Sequence, residues 1–568
     1  MHIDGVPNRT SRPTYLLRES YREGKKVRKR TLANLSALSD EQIESIRAVL
    51  AGQSVRPIGE LWQTTRSRPH GAVQAVHVAM QRLGFESLIA SRPSAERDAV
   101  CAMVAARIIS AHTKLATTRW WHTTTLPEEY GVVDLDETDL YAAMDWLLER
   151  QGQIEKKLAA RHLSEGALAL YDLSSSYFEG RCCPLAKIGY SRDGKRNTPQ
   201  VNYGLLTTRA GCPVAISVYE GNTADVNTLL PQVSQLREQF GLERLVLVGD
   251  RGMISHKAIE TLRSLDGLAW ITALKSAQIR ALVQGGTLQL GLFDERNLFE
   301  FSHPDFPGER LMACRNADLG KLRTHKREAL LEATEKELEK IRARVENGSI
   351  SGRDKIGVRV GKVVNKYKVG KHFALTIKDT DFEFHRLAPQ IAAEAALDGI
   401  YVIRTSVPKK QMNSAEAVRS YKALAEVERA FRSMKTIDLH IRPIHHHLAD
   451  RVRAHIFLCM LAYYVEWHMR EAWRELLFAD EDLKRKAHRD PVAAAERSAA
   501  ALEKVARHTL KNGSPVHSFR TLLHELSTIV RNTCQARAAQ SSGSTFQMTT
   551  VPNPDQQRAL QLLQAITV

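Results

Sequence analysis

The chain of 568 residues is 43% apolar and 26% charged, ordinary values for folded globular protein, and its length suits about three or four domains. Its 81 Lys and Arg against 64 Asp and Glu leave a net charge of +17, which favours a polyanionic partner, nucleic acid ahead of an anionic membrane surface. The longest apolar run, residues 456–465, covers about half a membrane span, and residues 1–10 lack a signal-peptide core, so a cytoplasmic protein without a membrane partner is expected.

Residues 14–30 (TYLLRESYREGKKVRKR) place two alternating segments around Glu23, Gly24 and Lys25, the pattern of a β-hairpin. Seven basic residues stand there against two acidic ones, with Tyr15 and Tyr21 among them. Arg28, Lys29 and Arg30 are therefore candidates for contact with a DNA backbone, the competing reading being a solvated face. A short helix is expected over 40–50, N-capped by Ser39 or Asp40, and residues 54–69 read as a linker. From 71 to 163 the pattern is helical, with Val73, Val76, Met80 and Leu83 on one apolar stripe and Val100, Val104, Ile108 and Ile109 on a second. Trp120 and Trp121 fit a core or an interface better than a base-stacking platform.

At residue 168 the pattern changes. The run LALYD ends a short strand on Asp172, and two further strands are expected over 201–207 and 213–219, joined by a turn with Ala210 and Gly211. An amphipathic helix over 227–240 leads to RLVLVGDRGM (244–253), in which a buried strand runs straight into Gly249, Asp250, Arg251 and Gly252. A strand-end Asp of this kind is aimed where an open α/β sheet binds its ligands, or else caps the next helix. The order β-β-β-α-β sets the ends of the first and fourth strands side by side, so that Asp172 and Asp250 share a cation.

About 150 residues then intervene. They hold β-like pieces at 298–301, 356–364 and 372–377 and a charged helix near 326–346. The segment 353–372, with seven Lys or Arg and one acid, suits a phosphate track or a Lys-protected sheet edge. Trp270, in the strand-like GLAWITAL, is read as a core residue ahead of a platform for a flipped base. The core resumes with a strand over 399–405 and a helix over 414–436. On that helix Tyr421, Leu424, Glu428, Arg432 and Lys435 share about an 80° sector, and Glu426 lies opposite, which selects Glu428 as the functional acid.

The C-terminal part is helical again: a helix started by Asp490 and Pro491 and stopped near Asn512 and Gly513, another over 518–533, a flexible break at 540–544, and a last helix over 555–565. The seven cysteines form no C-x-x-C pair and read as reduced, mostly buried thiols. The run His445, His446, His447 reads as a solvated or phosphate-facing cluster, since adjacent imidazoles point apart.

Taken together, Asp172, Asp250 and Glu428 resemble the Asp-Asp-Glu (DDE) triad of RNase H-like transposases from bacterial insertion sequences, especially the group with a β-rich insertion before the glutamate. That group's third motif is Tyr-x2-Arg-x3-Glu-x6-Lys. Tyr421, Glu428 and Lys435 occupy three of its places, while Leu424 stands where Arg is expected, and Arg432 one turn on is a candidate substitute. YDLSSSYFEG (171–180), GDRGM (249–253) and residues 442–454 extend the resemblance over about 168–470.

The resemblance implies an α/β fold: an RNase H-like core with a mixed sheet flanked by helices, an inserted β-rich subdomain, and helical N- and C-terminal regions. The expected domains are a basic N-terminal region (1–70), a helical DNA-binding module (71–165), the core (166–255 and 398–470) around an insertion (256–397), and a C-terminal helical region (471–568). It implies a transposase that cleaves element ends and joins the freed 3′ hydroxyl to target DNA, with two magnesium ions on the triad and manganese tolerated. Tyr421, Arg432, Lys435 and Arg251 would contact DNA. The partners are double-stranded terminal inverted repeats and target DNA, with a homodimer assembled on them at the bacterial nucleoid. Two alternatives stand beside this: an RNase H-like nuclease without strand transfer, and a catalytically inactive, transposase-derived DNA-binding protein. Because carboxylates and metal touch only backbone, recognition of the element end is expected in residues 1–165.

Overall fold

Alternation about a glycine turn shapes the first part of the chain. In the computed structural model, which describes residues 1–9, 11–53, 62–195, 197–294, 296–493, 495–536 and 545–568, strands β1 (His2–Val6), β2 (Thr14–Glu23) and β3 (Lys26–Asn34) form an antiparallel sheet. Gly24 sits in the β2–β3 turn at φ +65°, a conformation that side-chain-bearing residues resist. The helix Asp40–Leu50 follows, its N-cap Ser39 making a reciprocal capping box with Gln42. Residues 62–69, expected as linker, are strand β4 (Trp62–Pro69), which pairs antiparallel with Val530–Ala536, itself paired with Thr545–Thr549. Residues 54–61, and the break expected at 540–544, lie outside the described residues. These elements make up one of two units, Met1–Pro69 with Ile529–Val551.

The other unit comprises His70–Thr528 and Pro552–Val568. Its N-terminal part is all-helical as read from the sequence. Val73, Val76, Met80 and Leu83, and Val100, Val104 and Ile108, are buried, and Trp121 is completely so. The sheet comes next in the chain: β5 (Leu168–Tyr177), β6 (Gln200–Thr208), β7 (Pro213–Glu220), β8 (Leu245–Val248), β9 (Leu268–Ala273), β10 (Leu298–Phe301) and β11 (Arg310–Arg315). Among the described residues it has eight strands in the order β10-β11-β14-β9-β8-β5-β6-β7, the last to join being β14 (Ile400–Thr405) after the hairpin β12 (Phe373–Ile377) and β13 (Phe382–Arg386). Strand β8 runs parallel to β5 and to β9, and the other pairs are antiparallel. Between β7 and β8 the chain winds as Leu229–Ser234 and then as a wider π-turn, Gln235–Gln239.

Apolar side chains on both faces of the sheet demand cover. The helix Ala449–Ala472, buried almost throughout from Val452 to Met469, packs on β7 and on the helices Ala95–Ile109 and Glu137–Glu149. It contains the 456–465 run, whose apolarity therefore serves a protein core. Among the described residues no single helix is long and apolar enough to cross a membrane.

The stretch expected as a β-rich insertion is built differently in part. Its strands β9, β10 and β11 join the main sheet, and what stands apart is mainly helical: Ala317–Glu346, Arg353–Tyr367 and the β12–β13 hairpin around Leu331, Leu338, Ile356, Val360 and Phe382. Residues 356–364 are thus helix, not strand. Their Ile356 and Val360, four apart, face that core, a helical spacing masked in sequence by the β-branched run Val360, Val363, Val364. Trp270 is 3% exposed and belongs to the core. At the C-terminus, Asp490 closes a local turn by accepting from the Val492 amide (2.8 Å), and the helix starts instead at Ala499, capped by Ser498. The helix expected over 518–533 ends at Ser527, because Val530–Ala536 is drawn into β4's sheet. The helix Pro554–Gln564 is as expected.

Candidate active site

The register of β5 and β8 sets the geometry. Leu170 pairs with Val248, on parallel strands roughly 4.8 Å apart, and Asp172 and Asp250 each follow two residues further on. Asp250 lies just past the end of β8, whereas Asp172, expected at a strand end, stands in the middle of β5, because β5 runs on to Tyr177 in its pairing with β6. Asp172 accepts from the Leu173 amide (2.8 Å) and Asp250 from the Arg251 amide (2.7 Å). Glu428 reaches the same place from a helix, Leu424–Arg432, that packs on β5 and β6 through buried Val427, Ala430 and Phe431, the last against Tyr203 at 5.8 Å between ring centres. Glu426 points elsewhere: it pairs with Arg429 (2.6 Å) and lies on Gly211, where an added Cβ would come within 2.9 Å of the Glu426 Cβ.

The three carboxylates feel one another. Burial pushes Asp172 up to about 7, and the charges of Asp250 and Glu428 add to the shift. Among the described residues none of the three has an ion-pair partner, in a chain with 81 Lys and Arg. The charge of Arg192 opposes that rise at Asp172, and an all-oxygen donor set of this kind suits a hard divalent ion. The Tyr421 hydroxyl points at Asp250 (3.5 Å), and burial followed by that carboxylate raises its phenol. Arg251 is exposed beside them.

The expected single stripe on the helix breaks up. A short interruption at Ala423 separates Ser414–Lys422 from Leu424–Arg432, and the chain then widens into a π-turn, Ser433–Ile437. Arg432 stays exposed while Lys435 turns inward and is 8% exposed. Lys435 pairs with Asp193 (2.5 Å) and donates to Ser174 Oγ (3.2 Å), two residues along β5 from Asp172 on the same face, roughly 7 Å away. Asp193, its side chain 1% exposed, also pairs with Arg442 and accepts from the Tyr177 amide (3.3 Å). These groups wall an open cavity of about 310 Å³ that Lys195, Thr436 and His440 complete. Arg192 next door pairs with Asp225 (2.7 Å), and its amide donates to Ser175 Oγ (3.0 Å).

Sequence reading passed over Asp193, Arg192 and Lys195. The signal for them was the dense mixed charge around a glycine in SRDGKRN, between two strands that frame an acidic site. Just before that stretch the chain packs closely: a Cβ on Gly189 would lie 1.9 Å from the Gly221 carbonyl oxygen. Of the other candidates, Arg28, Lys29 and Arg30 lie on β3, paired with Glu23 (2.6 Å), Asp4 (2.9 Å) and Glu19 (2.9 Å). Of the histidine run, His445 and His447 are exposed, while His446 turns inward and packs tilted against His455, 5.1 Å between ring centres. All seven cysteines are free thiols, six of them buried.

The middle of β5, the turn after β8 and the covering helix thus bring three carboxylates near one another on a mixed sheet. Residues 181–465 match the transposase DDE domain, half of the chain, and residues 5–59 match the N-terminal domain of the IS1634 family of transposases. The chain belongs to the DDE transposase family: it is a DNA transposase, which cleaves phosphodiester bonds and transfers strands. Solved structures similar to it include a piggyBac transposase synaptic complex with hairpin DNA (9% identity, TM-score 0.34, 80% of this chain and 76% of that one). Another is a Mos1 transposase paired-end complex with the left transposon end (13% identity, TM-score 0.15, 34% and 62%). No curated protein matches the chain. The assignment rests on the family match.

Proposed function

We propose that Asp172, Asp250 and Glu428 are the catalytic triad and hold two magnesium ions, with manganese as a working substitute. The observation that carries this is the convergence of three carboxylates, with Asp172 raised to about 7 by burial and by the other two despite the opposing charge of Arg192. When bound, the ions would activate the attacking oxygen and neutralise the leaving one. The chain's own side chains do the rest. Lys435, with Arg442 beside it, takes the phosphate next to the scissile one, one strand step from Asp172. Tyr421 and Arg251 steady the backbone at Asp250, Arg432 meets DNA from the exposed side of the helix, and Arg442 supplies the guanidinium that Leu424 lacks. Arg28, Lys29 and Arg30 add further backbone contacts. The substrates are double-stranded element ends and target DNA, held by two copies of the chain at the bacterial nucleoid.

Replacing Asp172, Asp250 or Glu428 by Ala should abolish cleavage of end-bearing DNA while mobility shifts persist. Full cleavage by any one variant sinks the assignment. Leu424 at the expected Arg position favours the second reading, a binding protein without catalysis, which requires the unaltered chain to shift DNA yet cut none. A nuclease that never joins strands would fail with pre-cut ends in a strand-transfer assay.

A further inference from the structure

Far from the triad, three residues distant in sequence bring soft ligands together. His162 ends the helix Gln151–His162, Cys212 stands in the turn just before β7, and His468 lies on the helix Ala449–Ala472. Both helices pack on β7. Their ligand atoms lie within 4.8 Å of one another, with His468 Nε2 at 3.9 Å from Cys212 Sγ. His468 is 8% exposed, and that thiol is its one polar partner among the described residues, a weak one for a buried imidazole. His162 is oriented by a hydrogen bond between its Nε2 and the Tyr464 hydroxyl (3.0 Å), and Tyr464 is completely buried. Arg161 donates to the Leu83 carbonyl (2.9 Å) and also hydrogen-bonds the Tyr464 hydroxyl.

We propose that His162, Cys212 and His468 form a zinc site. Two imidazoles and a thiolate are borderline-soft donors that select zinc and reject magnesium, so the site is chemically separate from the carboxylate triad. With zinc–sulfur bonds of about 2.3 Å and zinc–nitrogen bonds of about 2.0–2.1 Å, tetrahedral ligand atoms sit roughly 3.5 Å apart. From their separation of at most 4.8 Å the ligand atoms would close onto an ion on elements already packed together. Solvent takes the fourth position, reached past the half-exposed His162, and Tyr464 holds the His162 ring as an outer partner holds a ligand. Binding exchanges the thiol proton for a sulfur–metal bond, so one proton leaves for each ion bound. The ion would staple the helical module, through Gln151–His162, to the edge of the catalytic sheet and to the helix that covers it.

The test uses the full chain, tag removed, stripped with a chelator and titrated with cobalt(II). A thiolate-to-cobalt charge-transfer band should grow to one equivalent and be displaced by zinc. Cys212→Ser should abolish it, whereas Asp172→Ala and Cys182→Ser should leave it intact. Should Cys212→Ser fold poorly, His162→Gln, at a half-exposed helix end, should weaken zinc binding by about tenfold or more and cancel the rise in melting temperature that zinc confers on the unaltered chain. Absence of the band in the unaltered chain, its survival in Cys212→Ser, or unchanged zinc affinity in His162→Gln overturns the proposal.

Discussion

Asp193 is the residue whose removal should disturb the site most without touching a triad carboxylate. Its side chain is 1% exposed and holds two cations, Lys435 and Arg442, whose side chains are 10% and 22% exposed. Asp193→Ala would leave these cations facing each other without a counter-charge, and removing one partner of a buried pair costs about 3–5 kcal/mol. Arg442 keeps some access to water, so the lower end, about 3 kcal/mol, is expected. Lys435→Ala should cost less, because burial already holds the Lys435 ammonium below its ordinary value and Asp193 keeps Arg442. A double-mutant cycle by urea unfolding should therefore return a coupling of about 2 kcal/mol between Asp193 and Lys435. Cleavage should fall by about 100-fold in Asp193→Ala, the order expected when a positioned group moves by about 1 Å. Coupling below about 0.5 kcal/mol, which counts as additive, would refute the claim that Asp193 positions Lys435.

Two more outcomes follow from the charges. Glu155, 1% exposed, accepts from the Ile216 amide and the Gln151 and Gln235 side chains, yet burial still raises it from 4.5 to about 7. An acid raised on folding contributes stability that is full below pH 4.5 and lost as pH climbs through about 7, here about 3 kcal/mol (2.5 units at 1.36). Glu155→Gln should flatten that part of the urea-measured pH profile, and an unchanged slope between pH 5 and 8 would contradict it. On β3, replacing Arg28, Lys29 and Arg30 with Gln should weaken binding to all DNA sequences alike and lower the salt slope by up to about one unit per residue. Mobility shifts at two salt concentrations read this directly. Those three belong to a unit that needs Val530–Ala536, so the expected free-standing fragment 1–165 would lack the partner strand of β4, and the full chain is the proper reagent.

The local signals proved sufficient for the elements that carry the triad. Short apolar runs leading to Asp172 and to Gly249-Asp250 mark strands, although β5 runs on past Asp172 to Tyr177, and the β-β-β-α-β order then leaves few sheet arrangements, one of which makes β5 and β8 parallel neighbours. Helical spacing separated Glu428 from Glu426 because the apolar face, Val427 and Phe431, has to lie on the sheet. Tertiary structure alone decided what depends on distant partners. Strand β4 is polar and mostly exposed, and exists because a segment some 470 residues away hydrogen-bonds to it. The inward turn of Lys435 follows from a π-turn that no periodicity announces and from Asp193, which comes just after the close contact of Gly189 with Gly221. His162, Cys212 and His468 show the same limit, since no spacing in sequence relates them and only the packing of two helices on β7 makes them neighbours. Local propensity and periodicity act within a few residues along the chain, whereas charge pairing and ligand clusters are set by distances in space, and the two coincide only where one short element carries the whole message.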